Sequence, residues 1–328
     1  MIGSLKADLV LEGGGVKGIG LVGAVSVLEE NGYAFGKIAG TSAGAIVAAL
    51  LAAGYTAAEL HELMRTEIDY ERFRDSGTLD RVPIAGPALS LLLERGVYEG
   101  KYLRTWLAEK LAAKGVVTFG DLRDPDPGSS LPDFLQYKLV VVAADLSRGE
   151  MVRLPWDYLP RYGLDPDAQH VADAVRASMS IPFFFEPAKI RDARGRTATL
   201  VDGGLLSNFP VSIFDRIDGA PPRWPTFGVK LSAKPDAMQL PNETGNPYSY
   251  IKALIDTMVS GHDRMYIADP CVSRRTIFVD TFKVRATDFG IDDATEDRLY
   301  DGGVEAGATF LKDWDFGAYY RDCRAARP

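Results

Sequence analysis

The hydrophobic pattern of the first third of the chain predicts strands and helices in alternation. Residues 7–12 form an apolar stretch of strand length, and a glycine-rich turn and an apolar helix follow over residues 13–32. A second strand is predicted near residues 34–39, followed by a sharp turn and another apolar helix over residues 43–53. Because parallel strands need a crossover connection, this order predicts a parallel α/β fold.

The same alternation continues along the rest of the chain. Residues 137–144 form the most apolar strand, a nearly continuous run that is typical of a central parallel strand. Further strands are predicted over residues 199–201, 228–233 and 275–284, and further helices over residues 173–180, 248–266 and 295–312. We therefore expect a single α/β domain over residues 1–328, with a mostly parallel central sheet and helices on both faces, in three layers.

Composition and charge narrow the function classes. The 328 residues are 46% hydrophobic and 25% charged, as is usual for a globular protein. The formal net charge is −8, and acidic and basic residues are interspersed. Because the sequence has no basic stripe, we expect no nucleic-acid partner, and any membrane contact has to be local and apolar. Two cysteines, Cys271 and Cys323, are too few for a disulfide framework and lack the spacing of metal ligands.

The sequence shows neither a Sec signal peptide nor a membrane span. Its start lacks a basic segment followed by an apolar core. The longest apolar run, residues 43–55, is too short to cross a bilayer. We therefore expect a cytoplasmic protein that is peripheral to a membrane when it acts, and export by a route other than Sec stays open.

The turn after the second predicted strand carries the first candidate for chemistry. It reads Gly40-Thr41-Ser42-Ala43-Gly44, and Gly-x-Ser-x-Gly between a strand and a helix is the pattern of a nucleophile elbow. Side chains at Gly40 and Gly44 would collide with neighbouring backbone in so sharp a turn. Ser42 is then expected on a strained turn at a helix N-terminus, with its hydroxyl exposed. The alternative is an ordinary serine N-cap beside packing glycines.

The glycine-rich turn after the first predicted strand allows three interpretations. Gly13-x-Gly15-x-x-Gly18 matches a dinucleotide-binding fingerprint, but the second strand does not end in an acidic residue that could hold a ribose. A P-loop requires Ser or Thr after the lysine, whereas Lys17 is followed by Gly18. The third interpretation is an oxyanion hole, since the backbone N–H groups of Gly13, Gly14 and Gly15 can turn toward developing negative charge.

Four stretches together resemble one family. The sequences LEGGGVKGIG, GTSAG and LVDGG, the last containing Asp202-Gly203-Gly204, are similar to the three signature blocks of patatin-like phospholipases. The segment from Arg176 to Phe183 is similar to the Ser/Pro segment that precedes the aspartate in that family. The resemblance covers about residues 7–210, and residues 211–328 are expected to complete the same domain.

The resemblance implies a lipid acyl hydrolase with a Ser–Asp dyad and no catalytic histidine. Ser42 would be the nucleophile, Asp202 the general base, and the Gly13–Gly15 N–H groups the oxyanion hole, with an acyl-enzyme as intermediate. The supporting motif residues are Lys17, Gly18, Gly40, Gly44, Gly203 and Gly204. The expected substrate is a glycerolipid or phospholipid at a membrane or micelle surface. No cofactor or metal is expected, since the sequence has neither a His/Cys ligand cluster nor an acidic calcium loop.

Two alternatives remain open at this point. Ser42, Asp202 and His262 follow each other in the order of an α/β-hydrolase triad, although His262 lies in a helical pattern where histidine is usually structural. The other alternative is a nucleotide-binding module that uses the glycine loop as a phosphate cradle, with Ser42 as a cap.

Residues 56–109 are mostly helical by pattern and include a possible lid. Within them, residues 82–93 form an apolar stretch with two prolines. This stretch fits either a loop and helix packed on the core or a movable apolar cover over an acyl-chain cleft.

Overall fold

The computed structural model describes residues 5–68, 100–216, 218–231, 244–245, 250, 253, 257, 267–282, 284–286, 288 and 290–325. The possible lid at residues 82–93, His262, and most of the helix predicted over residues 248–266 lie outside these ranges.

The described strands form one mixed sheet. They are β1 (Leu5–Leu11), β2 (Tyr33–Thr41), β3 (Leu139–Asp145), β4 (Glu150–Leu154), β5 (Ala188–Arg191), β6 (Thr197–Asp202), β7 (Thr226–Lys230) and β8 (Thr276–Phe278). Their order is β5-β6-β3-β2-β1-β7-β8, and β4 also pairs with β3. Strands β3, β2, β1, β7 and β8 run parallel, whereas β4 and β6 are antiparallel to β3, and β5 to β6.

Helices flank this sheet. They are α1 (Ile19–Glu30), α2 (Ala43–Ala52), α3 (Ala57–Thr66), α4 (Lys101–Ala113), α5 (Val171–Ser178), α6 (Pro270–Arg274), α7 (Asp293–Asp313) and α8 (Phe316–Cys323). Every residue of α2 is buried, which explains why its sequence is apolar on all sides. The predicted fold class, a mostly parallel central sheet flanked by helices, is confirmed.

Glycines inside the long helix α7 allow it to pack closely on α1. A Cβ at Gly303 would overlap the backbone oxygen of Gly20, and a Cβ at Gly23 would overlap that of Tyr300. Glycine normally weakens a helix interior, but here it lets two backbones approach each other. The helix predicted over residues 295–312 is therefore present, two residues longer at its start and one at its end.

Two sequence expectations differ from the structure away from the sheet centre. The strand predicted over residues 275–284 spans only Thr276–Phe278, because the chain then turns toward the glycine loop, where Val16 N–H donates to the carbonyl oxygen of Ala286. The two cysteines, which were too few to predict a disulfide framework, form a single disulfide bond, Cys271–Cys323. The bond joins α6 to α8 and so ties the last described helix to the start of β8.

Candidate active site

The turn from β2 into α2 has the strained geometry expected of an elbow. Ser42 has φ 53° and ψ −127°, a backbone conformation that side chains rarely adopt. A Cβ at Gly40 would overlap the backbone oxygen of Gly44, and a Cβ at Gly44 that of Leu11. The expectation of an exposed hydroxyl is wrong for this conformation, since Ser42 is only 4% exposed. It is covered because residues of α5 and β6 pack directly over it.

Strand β3 aligns the two sequence-predicted catalytic residues. Val142 of β3 pairs with Thr41, the residue before Ser42, and the next residue, Ala143, pairs with Asp202. Because β6 runs opposite to β3, its carboxyl end points toward the carboxyl end of β2. Successive residues of one strand therefore hold the serine and the aspartate against each other.

The Ser42 hydroxyl donates a hydrogen bond to the Asp202 carboxylate. The distance from Ser42 Oγ to Asp202 Oδ2 is 2.6 Å, which is short enough for direct proton transfer. The other carboxylate oxygen, Oδ1, accepts from Gly204 N–H at 2.8 Å. Burial raises the pKa of Asp202 to about 6, and the hydrogen bonds from Ser42 and Gly204 only partly oppose this rise.

Ser178 connects the elbow to β3. Its Oγ accepts from Ser42 N–H at 2.8 Å and donates to the backbone oxygen of Val142 at 2.5 Å. Next to it, Met179 Sδ lies 3.6 Å from Ser42 Oγ, and Ser180 accepts the Asp202 N–H with its carbonyl oxygen at 2.9 Å. This segment was noted in the sequence only as part of a resemblance. No role could be assigned to Ser178, because its partners are more than 30 residues distant in the chain.

The glycine loop lies directly beside Ser42. A Cβ at Gly13 would come within 2.8 Å of Ser42 Cβ. Gly15 has φ 55°, and a Cβ there would overlap the Ala286 backbone oxygen. The Val16 N–H donates to that same oxygen at 3.2 Å, whereas the N–H groups of Gly14 and Gly15 donate to no other described residue. The Gly13 N–H likewise donates to no other described residue, so three backbone donors of the loop are left for a ligand.

Four side chains hold this loop in place. The Asn208 amide donates to the Gly13 carbonyl oxygen at 3.0 Å, and Lys17 Nζ donates to the Leu231 carbonyl oxygen at 3.2 Å. Glu12 forms a buried ion pair with Lys230 and accepts from Leu231 N–H at 2.5 Å. The loop is therefore tied to the end of β7. Asn208 follows the predicted Asp202 block in sequence, but its contact with Gly13 could not be read from that position.

The remaining motif glycines serve close packing. A Cβ at Gly18 would lie 3.2 Å from that of Ala43, and one at Gly203 would lie 2.5 Å from the Val142 backbone oxygen. A Cβ at Gly204 would lie 3.0 Å from Asp202 Oδ1. Larger residues at these positions would displace the elbow or the aspartate.

Histidines and potential metal ligands also occur among the other described residues. No cluster of three or more His, Cys, Asp or Glu side chains there could hold a metal ion. His61 stacks on Tyr300 between α3 and α7, with ring centroids 3.8 Å apart, and His170 is the exposed N-cap residue of α5. Among the helices in the described part of the chain, none is long and apolar enough to cross a bilayer.

Comparison with known proteins identifies the family. The patatin-like phospholipase family model matches residues 9–215. The chain is 41% identical to the uncharacterized protein YqhO of Bacillus subtilis, over 94% of this chain and 99% of that protein. It is 28% identical to the cUMP-AMP-activated phospholipase of Escherichia coli, over 62% of this chain and 55% of that protein.

Two solved structures have the same fold. VipD from Legionella pneumophila matches with a TM-score of 0.51 and 20% identity, over 94% of this chain and 67% of that one. ExoU, in its complex with SpcU from Pseudomonas aeruginosa, matches with a TM-score of 0.51 and 21% identity, over 94% of this chain and 52% of that one. The chain thus spans about half the length of ExoU and of the E. coli phospholipase. The family model spans the chain from its first strand to beyond Asp202, and the relative that is 41% identical matches over nearly all of its length. This chain therefore belongs to the patatin-like phospholipase family.

Proposed function

We propose that the protein hydrolyses ester bonds of lipids with Ser42 as nucleophile and Asp202 as general base. The observation that carries the proposal is the 2.6 Å hydrogen bond from Ser42 Oγ to Asp202 Oδ2. Membership of the patatin-like phospholipase family supports a lipid ester as the substrate. A glycerolipid or phospholipid at a membrane or micelle surface is the substrate class that we propose.

The reaction proceeds in two halves. Ser42 Oγ attacks the ester carbonyl carbon while its proton passes to Asp202 Oδ2. The tetrahedral intermediate collapses, the bond to the alcohol breaks, and Asp202 returns the proton to the leaving oxygen. Water then attacks the acyl-enzyme and gives a proton to Asp202, and the Ser42–acyl bond breaks to release a carboxylic acid, with the proton returning to Ser42 Oγ.

Burial makes the aspartate a better base than a solvated one. Its pKa of about 6 lies close to neutral pH, so that the carboxylate is still mostly ionised there but binds a proton more readily. The same burial excludes water from the Ser42–Asp202 hydrogen bond, and this strengthens the electrostatic interaction between them.

The N–H groups of Gly13, Gly14 and Gly15 are the donors that we assign to the oxyanion. Gly13 lies next to Ser42, and none of the three N–H groups is used by another described residue. Fixed backbone donors of this kind contribute on the order of 10²–10³ in turnover each. Nucleophile, base and oxyanion donors are then all supplied by the chain, so the proposed scheme needs no metal ion.

The test is hydrolysis of a short-chain p-nitrophenyl ester and of a phospholipid panel, with EDTA present. Ser42→Ala and Asp202→Asn should lose activity. Ser26→Ala, which removes a buried serine hydroxyl of α1, and Asp192→Asn, in the turn between β5 and β6, should retain it. Loss of activity in a folded His262→Ala variant would replace the dyad with a triad. A wild type that is silent on every ester but stabilised by nucleotide would contradict the proposal.

A further inference from the structure

A cavity lies at the opposite edge of the sheet from the active site. It measures about 50 Å³ and is lined by residues at the amino ends of the parallel strands, among them Asp8, Lys37, Thr226 and Arg275. Lys37 lies on β2, and Ser42 directly follows this strand, five residues further along the chain. At about 3.3 Å per residue, the cavity and the serine are roughly 16 Å apart.

Cationic side chains outnumber carboxylates in its lining. Five cations face three carboxylates, the latter being Asp8, Asp126 and Asp215. The cations are Lys37, Arg216, Arg223, Arg275 and Arg324. Arg216 is paired with Asp218, which is not part of the lining.

Lys37 is the cation in this lining that forms no ion pair with a described residue. The residue is only 5% exposed, and its ammonium makes no hydrogen bond with any described residue. The ammonium is not among the fully buried side-chain atoms that lack a partner, so it opens into the cavity that Lys37 lines. An anion in the cavity would contact it directly.

The nearest carboxylates are already engaged. Asp8 and Asp126 both act on Lys37 through their charge but form no ion pair with it. Asp126 binds both terminal nitrogens of Arg223 and accepts from Gly128 N–H at 3.1 Å. Asp215 is shared by Arg275 and Arg324.

Asp8 binds the backbone of Lys37 and not its ammonium. The register between β1 and β2 shifts between Ala7 and Leu9, and Asp8 Oδ1 accepts the Lys37 backbone N–H at 2.8 Å. Burial raises the pKa of Asp8, and the hydrogen bond from Lys37 N–H and the charge of Lys37 only partly oppose this rise.

We propose that this cavity binds a phosphate-type oxyanion, as free phosphate or as a phosphomonoester, with the Lys37 ammonium as its principal partner. The cavity volume of about 50 Å³ suits an anion of this size. A single water molecule needs about 10–15 Å³, so the cavity accommodates roughly four oxygen atoms. A compact anion can contact the lysine and the neighbouring guanidinium groups together. The site is separate from the proposed hydrolase chemistry and does not depend on it.

The experiment measures thermal unfolding and titration calorimetry of the full chain with inorganic phosphate and, separately, with glycerol phosphate, at ionic strength matched by chloride. The wild type should show a saturable rise in Tm with at least one of the two. Lys37→Met should bind that ligand at least tenfold more weakly, as expected for the loss of one charge-assisted hydrogen bond. Lys189→Met, on the exposed strand β5, makes the same chemical change outside the cavity and should bind as the wild type does.

Three readouts keep the test decisive. Lys37→Met should melt cooperatively and hydrolyse the p-nitrophenyl ester, which shows that it is folded. Should it not fold, Arg223→Gln, at the more open side of the cavity, should also weaken binding of the same ligand. Binding to neither anion, or equal binding by wild type and Lys37→Met, would overturn the proposal. Binding lost in Ser42→Ala but retained in Lys37→Met would place the anion at the glycine loop and overturn it too.

Discussion

Ser42 Oγ and Asp202 Oδ2 lie 2.6 Å apart, although β2, which leads to Ser42, and β6, which ends at Asp202, run in opposite directions. Strand β2 is parallel to β3 and β6 is antiparallel to it, so two carboxyl ends meet head to head. The serine is held by a backbone turn and the aspartate by a strand end, and neither position depends on a flexible loop. Rigid placement of both partners is what a proton transfer between them requires.

The acid limb of the pH profile should report Asp202. Because the carboxylate is the base, kcat/KM should fall about tenfold per pH unit below the pKa of about 6. Initial rates on the p-nitrophenyl ester from pH 4.5 to 8.5 would measure it. The profile should be the same in His262→Ala, and a limb that disappears in that variant would assign the ionisation to the histidine instead.

Asp202→Asn should stabilise the protein at neutral pH. The pKa of Asp202 rises from 3.8 to about 6 on folding, so the folded protein binds this proton more tightly than the unfolded chain. The stability it contributes is complete below pH 3.8 and is lost as the pH rises to about 6. The variant should therefore gain up to about 3 kcal/mol at pH 8 and little at pH 4.

Urea unfolding at the two pH values would measure that gain. Asp192→Asn is the control with the opposite sign. Burial raises the pKa of Asp192, but hydrogen bonds from Arg196 and Arg194 outweigh burial and lower it. That variant should be less stable than the wild type at pH 8. A loss of stability in Asp202→Asn at pH 8 would contradict the assignment of a costly buried carboxylate.

Ser178→Ala should lower turnover without a matching change in KM. It leaves Ser42 N–H and the Val142 carbonyl oxygen without their partner, at a cost of about 1–3 kcal/mol of stability. Ser180→Ala is the matched control, since its hydroxyl is equally buried but bonds to Arg176 and not to the elbow. Steady-state kinetics of both variants would measure kcat and KM. An equal fall in kcat for the two would contradict a specific role of Ser178 in positioning the elbow.

Gly15→Ala should be far more damaging than Gly54→Ala. Both glycines have positive φ, 55° and 97°, so both variants carry a similar backbone strain of about 1–2 kcal/mol. A Cβ at Gly54 meets nothing within 4 Å, whereas a Cβ at Gly15 would overlap the Ala286 backbone oxygen. We expect Gly15→Ala to displace the loop and lower turnover about 10²–10³-fold. Comparable activity of the two variants would show that the loop does not need its present position.

Removal of the Cys271–Cys323 bond should destabilise the fold but not abolish activity. The bond closes a loop with a sequence separation of 52, for which chain entropy predicts about 4 kcal/mol at most. Chemical unfolding of Cys271→Ser/Cys323→Ser against the wild type would measure it. Titration of free thiols in protein alkylated at lysis would compare the bond with the redox state of the producing compartment, since disulfides persist in oxidising compartments and are rare in the cytosol.

The local elements and the elbow serine could be predicted because they depend on neighbouring residues, whereas Asp202 became a candidate only through the family resemblance. One sharp turn requires Gly40 and Gly44, and one loop requires the glycines before Lys17. The spacing of these glycines in the chain is therefore enough to predict the local backbone geometry. The apolar runs of β1, β2 and α2 likewise follow from burial of contiguous residues. The parallel α/β arrangement follows from their order.

Tertiary structure alone decided which distant groups meet. The antiparallel approach of β6, the clamp by Ser178, the tether from Asn208 and the Cys271–Cys323 bond all join residues more than 30 positions apart. A side chain's burial and its charge environment depend on such neighbours, so neither the covered hydroxyl of Ser42 nor the pKa of Asp202 could be read from spacing. The lysine of the cavity at the amino ends of the strands is the same case. Nothing around Lys37 in the sequence distinguishes it, and only the folded sheet places it in one lining with four arginines.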